Sequence, residues 1–221
     1  QFVKWNVDAN GNFISGDTMG MVGMGSSALW AVETQFSQEL NNDGQLGAPT
    51  TTVETAGSTA LMQIGNNYGL YAKDGSGNPT TGPLLKVSNN AVTVGQFGNW
   101  TPIAAEASGT GYAVLFKDSM TNQFLKWNVD ANGNRTSGDP MGVVDINNPS
   151  LWAVETQFSQ ELNNDGTVGG PSAVSLESAG AIALVSVGSL YGLYAKDGSG
   201  NPTTGPLLKF NNNPVVNGQF G

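Results

Sequence analysis

The chain contains neither cysteine nor histidine. Their absence removes disulfides, thiol nucleophiles, zinc sites of the usual ligand types and any Ser-His-Asp triad. Basic residues are scarce as well: 8 Lys and Arg face 17 Asp and Glu, giving a net charge of -9 and a pI near 4.2. No basic run occurs, so the clustered charge that phosphate binding needs is missing and nucleic acid is not an expected partner. No stretch of 18 apolar residues occurs either, so no membrane insertion is expected.

What remains is polar but weakly charged. Hydrophobic residues make up 38% and charged residues 11%, with 31 glycines. Five Trp and nine Phe argue against disorder, because disordered chains lack the large apolar groups that offset chain entropy. A length of 221 residues suits one large domain or two small ones. Gln1 is not a natural start, so the numbering is expected to begin inside a longer precursor. A cysteine-free chain of this composition points to an extracellular or cell-surface location.

Self-repetition dominates the sequence. "KWNVDANGN" at 4–12 returns at 126–134, and "LWAVETQFSQELNNDG" at 29–44 returns unchanged at 151–166. "YGLYAKDGSGNPTTGPLLK" at 68–86 returns at 191–209, so the period of 122 slips to 123 after one inserted residue beyond Gly166. We divide the chain into a first repeat, 1–122, lacking its opening strand, and a second, 123–221, truncated at its C-terminal end. Active sites rarely arise twice by tandem copying, whereas scaffold and adhesive surfaces commonly do.

A weaker half-period is visible. "GYAVLFKDSMTNQFLKW" from Gly111 resembles the segment from Tyr68: each reads as a strand ending in Lys-Asp, a polar turn and a second strand. In "GYAVLFKD", Tyr112, Val114 and Phe116 alternate with smaller residues, the period of a half-buried strand. "DANGN" and "DGSGNPTTG" carry turn chemistry. One segment breaks the pattern: Leu151, Val154, Phe158 and Leu162 share a helical face, with Asn148 as N-cap and Pro149 at the first helical position. The expected fold is mainly β, a tandem repeat of β-hairpin units of about 60 residues in two alternating types, with one short helix per long repeat.

"QFLKW" from Gln123 follows its hairpin partner, but "QFVKW" opens the chain with that partner missing, and the chain stops at "GQFG" where the first repeat runs on. Phe2, Val3, Trp5 and Val7 are therefore expected to form an assembly strand that pairs across the molecule or with a neighbour.

The block "W-x-V-E-T-x-F-x-x-E-L-N-N-D-G-x-x-G", with "KWNVDANGN" before it and "GNWTPIAAE" at 98–106, resembles the tryptophan-rich repeat domain. That domain occurs at the C-termini of large secreted proteins of cyanobacteria and proteobacteria. The resemblance covers essentially the whole chain. It implies an extracellular or surface setting beside adhesin-like and calcium-repeat sequences, and no enzymatic activity. The family's loop reads Asp-Leu-Asn-Gly-Asp-Gly; here Glu39 replaces the first Asp and Asn42 the first Gly.

Three kinds of site follow from the residues. Glu39, Asn41, Asp43 and Gln45, with Glu161, Asn163, Asp165 and Thr167, resemble the opening of a calcium loop, whose alternate oxygens face a hard cation. Position twelve holds Thr50 or Ser172 in place of a bidentate Glu. The competing reading is a helix C-terminus followed by a turn that needs no ion. Glu33 and Glu54, repeated as Glu155 and Glu177, form the one attractive carboxylate pair for glycoside chemistry, but nothing in the spacing sets their separation and no catalytic residue is assigned. Trp30, Trp152 and Trp100 offer a sugar platform or, alternatively, core packing. The expected function is a non-enzymatic structural or adhesive module that assembles end to end by strand complementation. Its expected partners are copies of itself, neighbouring repeats or surface glycans. A lectin-like carbohydrate-binding module is the alternative.

Overall fold

The computed structural model describes residues 1–138 and 141–220. The fold is mainly β, with several small antiparallel sheets and two helices. A hairpin of β1 (Trp5–Val7) and β2 (Phe13–Gly16) leads into helix α1 (Ser27–Phe36). A three-stranded meander follows, β3 (Thr50–Glu54), β4 (Thr59–Ile64) and β5 (Asn67–Ala72), then a small ladder of β6 (Lys86–Val87) and β7 (Asn90–Ala91). The four-stranded centre comprises β8 (Trp100–Ser108), β9 (Gly111–Asp118), β10 (Phe124–Val129) and β11 (Arg135–Gly138). Helix α2 (Pro149–Phe158) precedes a second meander, β12 (Ala173–Glu177), β13 (Ile182–Val187) and β14 (Leu190–Ala195), and a last ladder, β15 (Lys209–Phe210) with β16 (Asn213–Pro214).

Local chemistry explains these elements. Two-residue turns join β4 to β5, β8 to β9 and β13 to β14, each with glycine first: Gly65, Gly109 and Gly188 at φ of 56°, 59° and 60°. Such hairpins need positive φ there, which glycine adopts without steric cost. Asn148 caps α2 by accepting from the Ser150 N–H at 2.9 Å, with Pro149 in the first turn; Ser26 caps α1 through Ala28. Both helices stop at a left-handed serine, Ser37 or Ser159. α2 thus ends at Phe158, and Leu162, expected on the helical face, lies beyond it while still packing on the same core. The left-handed cap turns the chain back and returns Leu162 to that face.

The central sheet sets the architecture. Its order is β11-β10-β9-β8, so the boundary between sequence repeats falls in the turn between β9 and β10. On one face Val114, Phe116, Trp127 and Val129 pack against Leu61 and Leu70 of the first meander and Leu85 just before β6. On the other, Ala104, Ala113, Leu115 and Phe124 meet Leu151, Val154 and Phe158 of α2. The alternation in "YAVLF" reads as a half-buried strand, but β9 is buried on both sides because α2 covers the face that Ala113 and Leu115 present. A sheet covered on both faces takes a near-continuous apolar run. Pro102 sits in β8, an edge strand with a bulge beside it, where its missing N–H costs no ladder bond. α2 also packs through Trp152 onto Ala183, Val185 and Val187 of the second meander.

Candidate functional site

The acidic loops after the helices are organised around a buried carboxylate. Glu33 is fully buried; its Oε1 accepts from the Leu40 and Asn41 N–H groups, both at 3.0 Å, and its Oε2 from Gly47 at 3.2 Å. Glu155 repeats this on Leu162, Asn163 and Gly169. Burial pushes the Glu155 carboxyl above its ordinary range. Each helix thereby folds the following loop back onto itself.

The structure brings Glu39, Asn41 and Asp43 into one loop, where their oxygens take the loop's own donors. Asn41 Oδ1 accepts from the Asp43 N–H at 2.9 Å, Asp43 Oδ1 from Gln45 at 2.8 Å, and Glu39 Oε1 from Asn42. The Gln45 side chain accepts from the Thr50 N–H rather than turning into the loop. In the second loop Asp165 accepts from both the Thr167 N–H and hydroxyl, the hydroxyl at 2.6 Å, and Glu161 accepts from Asn164 and Asp165. The Thr167 hydroxyl is the chief cause holding the Asp165 carboxyl low. Among the described residues no group of three His, Cys, Asp or Glu gathers in a way that would hold a metal ion.

The hairpin turns use the same device without burial. Asp8 accepts from the Asn10 and Asn12 N–H groups, and Asp74 and Asp197 do so two and four residues on. Hydrogen bonds from Asn12, Asn78 and Asn201 respectively are the largest cause holding these three carboxyls below the ordinary 3.8.

Glu33 and Glu54 serve different elements. Glu54, at the end of β3, accepts from Ala105 of β8 at 3.4 Å and from Ala56. Burial, ahead of the charge of Glu106, raises its pKa above 4.5. Glu106, which the sequence reading passed over, accepts from the Ser58 N–H at 2.9 Å and from its hydroxyl at 2.8 Å. Together these carboxylates form a polar clasp between the first meander and the central sheet. In the second repeat Ala181 replaces Ser58 and Glu177 is exposed, because no second central sheet meets that meander.

Of the three tryptophans expected as a platform, Trp152 is buried and Trp30 and Trp100 are half-buried. The Trp152 ring lies so close to Gly170 that a Cβ there would fall 2.8 Å from it, and Gly65 stands in the same relation to Trp30. Both indole N–H groups are buried without a partner. Trp100 is half-buried at the margin of the core between the first meander and the central sheet.

The largest contrast lies at the chain's two ends. Trp5 is 64% exposed while its repeat counterpart Trp127 is 7% exposed; Phe36 stands at 54% and Phe158 at 1%. The second meander shows the same disparity, with Leu193 at 39% against 0% for Leu70. Phe2, Val3, Trp5 and Val7 do come together, but their ladder partners are local: β1 pairs with β2, and Phe2 bridges to Val22. The outer edge of β1 is open, where β10 carries β9. A groove of about 220 Å³ lies there between the first strand and α1.

Set against known families, the closed interior is the part that matches. Residues 61–169 match the tryptophan-rich Synechocystis species C-terminal domain. The match runs from β4 to the end of the second acidic loop and takes in the central sheet and α2, leaving both exposed ends outside. No curated protein and no solved structure matches the chain.

Proposed function

We propose that the chain is a structural module of a secreted or cell-surface protein, without catalytic activity, that joins neighbouring repeats or copies of itself end to end. One observation carries this reading. The helix "LWAVETQF" and the strand "KWNV" are identical in both repeats, yet Trp5, Val7 and Phe36 stand exposed where Trp127, Val129 and Phe158 are buried. The same residues form an interior wherever a central sheet meets them. Supporting it, the two meanders keep equal strand lengths and a bulge before the same glutamate, as a tandem array of hairpin units requires. Stacked repeats of this kind bury the apolar face that each unit leaves exposed. The cysteine-free, weakly charged composition favours a surface setting.

Light scattering and small-angle X-ray scattering across a concentration series test the proposal. Elongated species that grow with concentration are expected. A compact monomer at every concentration would count against it.

A further inference from the structure

We infer that the open end built by β1 and α1 is a receptor for one β-hairpin with the chemistry of residues 100–118, "WTPIAAEASGTGYAVLFKD", added antiparallel to β1; this rests on the end-to-end reading above and names its partner. The template is within the chain. In the centre, β9 pairs with β10 so that Leu125 faces Phe116, Trp127 faces Val114 and Val129 faces Tyr112. Transferred by 122 residues, Val3 would face Phe116, Trp5 would face Val114 and Val7 would face Tyr112 of the incoming hairpin. Ala104, Ala113 and Leu115 of that hairpin would then come over Phe36, beside Leu29 and Val32, which the chain already buries, as they meet Leu151, Val154 and Phe158.

The receiving surface is already formed without its occupant. β1 and β2 share the register and bulge of β10 and β11, and the Phe2–Val22 bridge repeats Phe124–Val144. Lys4 Nζ donates to Gln35 Oε1 at 2.9 Å, as Lys126 does to Gln157 at 3.1 Å. Because these contacts stand before any hairpin docks, they add no ordering cost to docking. The groove lined by Trp5, Leu29, Val32 and Phe36 is apolar where the template places Leu115 and Ala113. The polar position is matched too: Gln157 Nε2 donates to Ser108 Oγ at 3.3 Å, and Gln35 presents the same amide. Main-chain bonds along the open edge supply affinity, and the alternate side-chain pockets supply choice of partner.

The test adds residues 98–122 ahead of Gln1, the order in which they precede Gln123. Docking should slow amide exchange at residues 3–7 by about tenfold and raise the melting temperature by about 5 °C or more. Leu115→Asp in the added segment should abolish both gains. So should Phe36→Asp in the chain, on a side chain exposed enough to leave folding intact. Equal gains from a scrambled segment would overturn the inference. Protection at 182–193 instead of 3–7, or protection at 3–7 that grows with chain concentration when no segment is added, would overturn it as well. If the chain assembles while the added hairpin protects nothing, this inference falls and end-to-end joining stands. If the hairpin docks while the chain stays monomeric, joining falls and the receptor stands.

Discussion

Glu33 shows how much one side chain organises. Three backbone N–H groups from a loop spanning residues 40–47 end on its two oxygens in a site closed to water. Glu33→Ala leaves those donors buried and unpaired, and urea denaturation should record a loss of about 2–4 kcal/mol. Amide exchange should quicken at Leu40, Asn41 and Gly47. Glu33→Gln should cost less, since one oxygen survives while its amide opposes a donor. Carboxylates also set the pH profile. Glu54 has a folded pKa above 4.5, so the folded state takes its proton first, and stability should rise as pH falls through that value toward 4.5. Asp8, Asp74 and Asp197 titrate below 3.8 in the fold, so below 3.8 the unfolded chain takes protons first and stability should fall. A urea midpoint followed from neutral to acid pH should pass through a maximum, and Glu54→Gln should flatten the rise on its neutral side. At this scale the turn aspartates were legible in "DANGN" and "DGSGN", because their partners lie two and four residues on. Glu106 was not, because its partner Ser58 lies 48 residues away.

Among the elements, the paired helices form an internal control. α1 and α2 share "LWAVETQF" and differ at two positions in the first turn, Ser27 and Ala28 standing where α2 has Pro149 and Ser150. Both have the same left-handed cap, and only α2 has a sheet on its outer face. Phe158→Ala should cost about 3–5 kcal/mol, as a large apolar group leaves a cavity in a closed core. Phe36→Ala, at the same helical position, should change stability by about 0.5 kcal/mol, as surface substitutions do. Two denaturation curves decide the point; equal losses would mean that the open end is already covered. The N-cap and first turn of α2 were readable from Asn148 and Pro149, since caps act within one turn. The two-sided burial of β9 was not: Leu115 meets residues of α2 more than 35 positions away. Local alternation records one face and is silent about a distant cover.

At the scale of the whole molecule, the completed unit is out of phase with the repeat. The central sheet takes two strands from each side of the sequence boundary, as a chain does when each repeat closes the sheet of its neighbour. The clasp of Glu54 and Glu106 secures that junction on its meander side, and the second meander lacks it. Glu106→Ala should therefore weaken the contact between first meander and central sheet. Faster exchange is expected at Ser58 and along β4 in that variant, with β13 unchanged; equal change in both meanders would show that the clasp is not local.

The sequence alone determined the turns, the helix caps, the strand-rich composition and the repeat itself, because each depends on residues a few positions apart or on direct comparison of one stretch with another. Only the tertiary structure decided which identical side chains lie inside and which stand open. Burial is a property of what covers a face, and the cover for Trp127, Val129 and Phe158 comes from strands that have no counterpart beside Trp5, Val7 and Phe36.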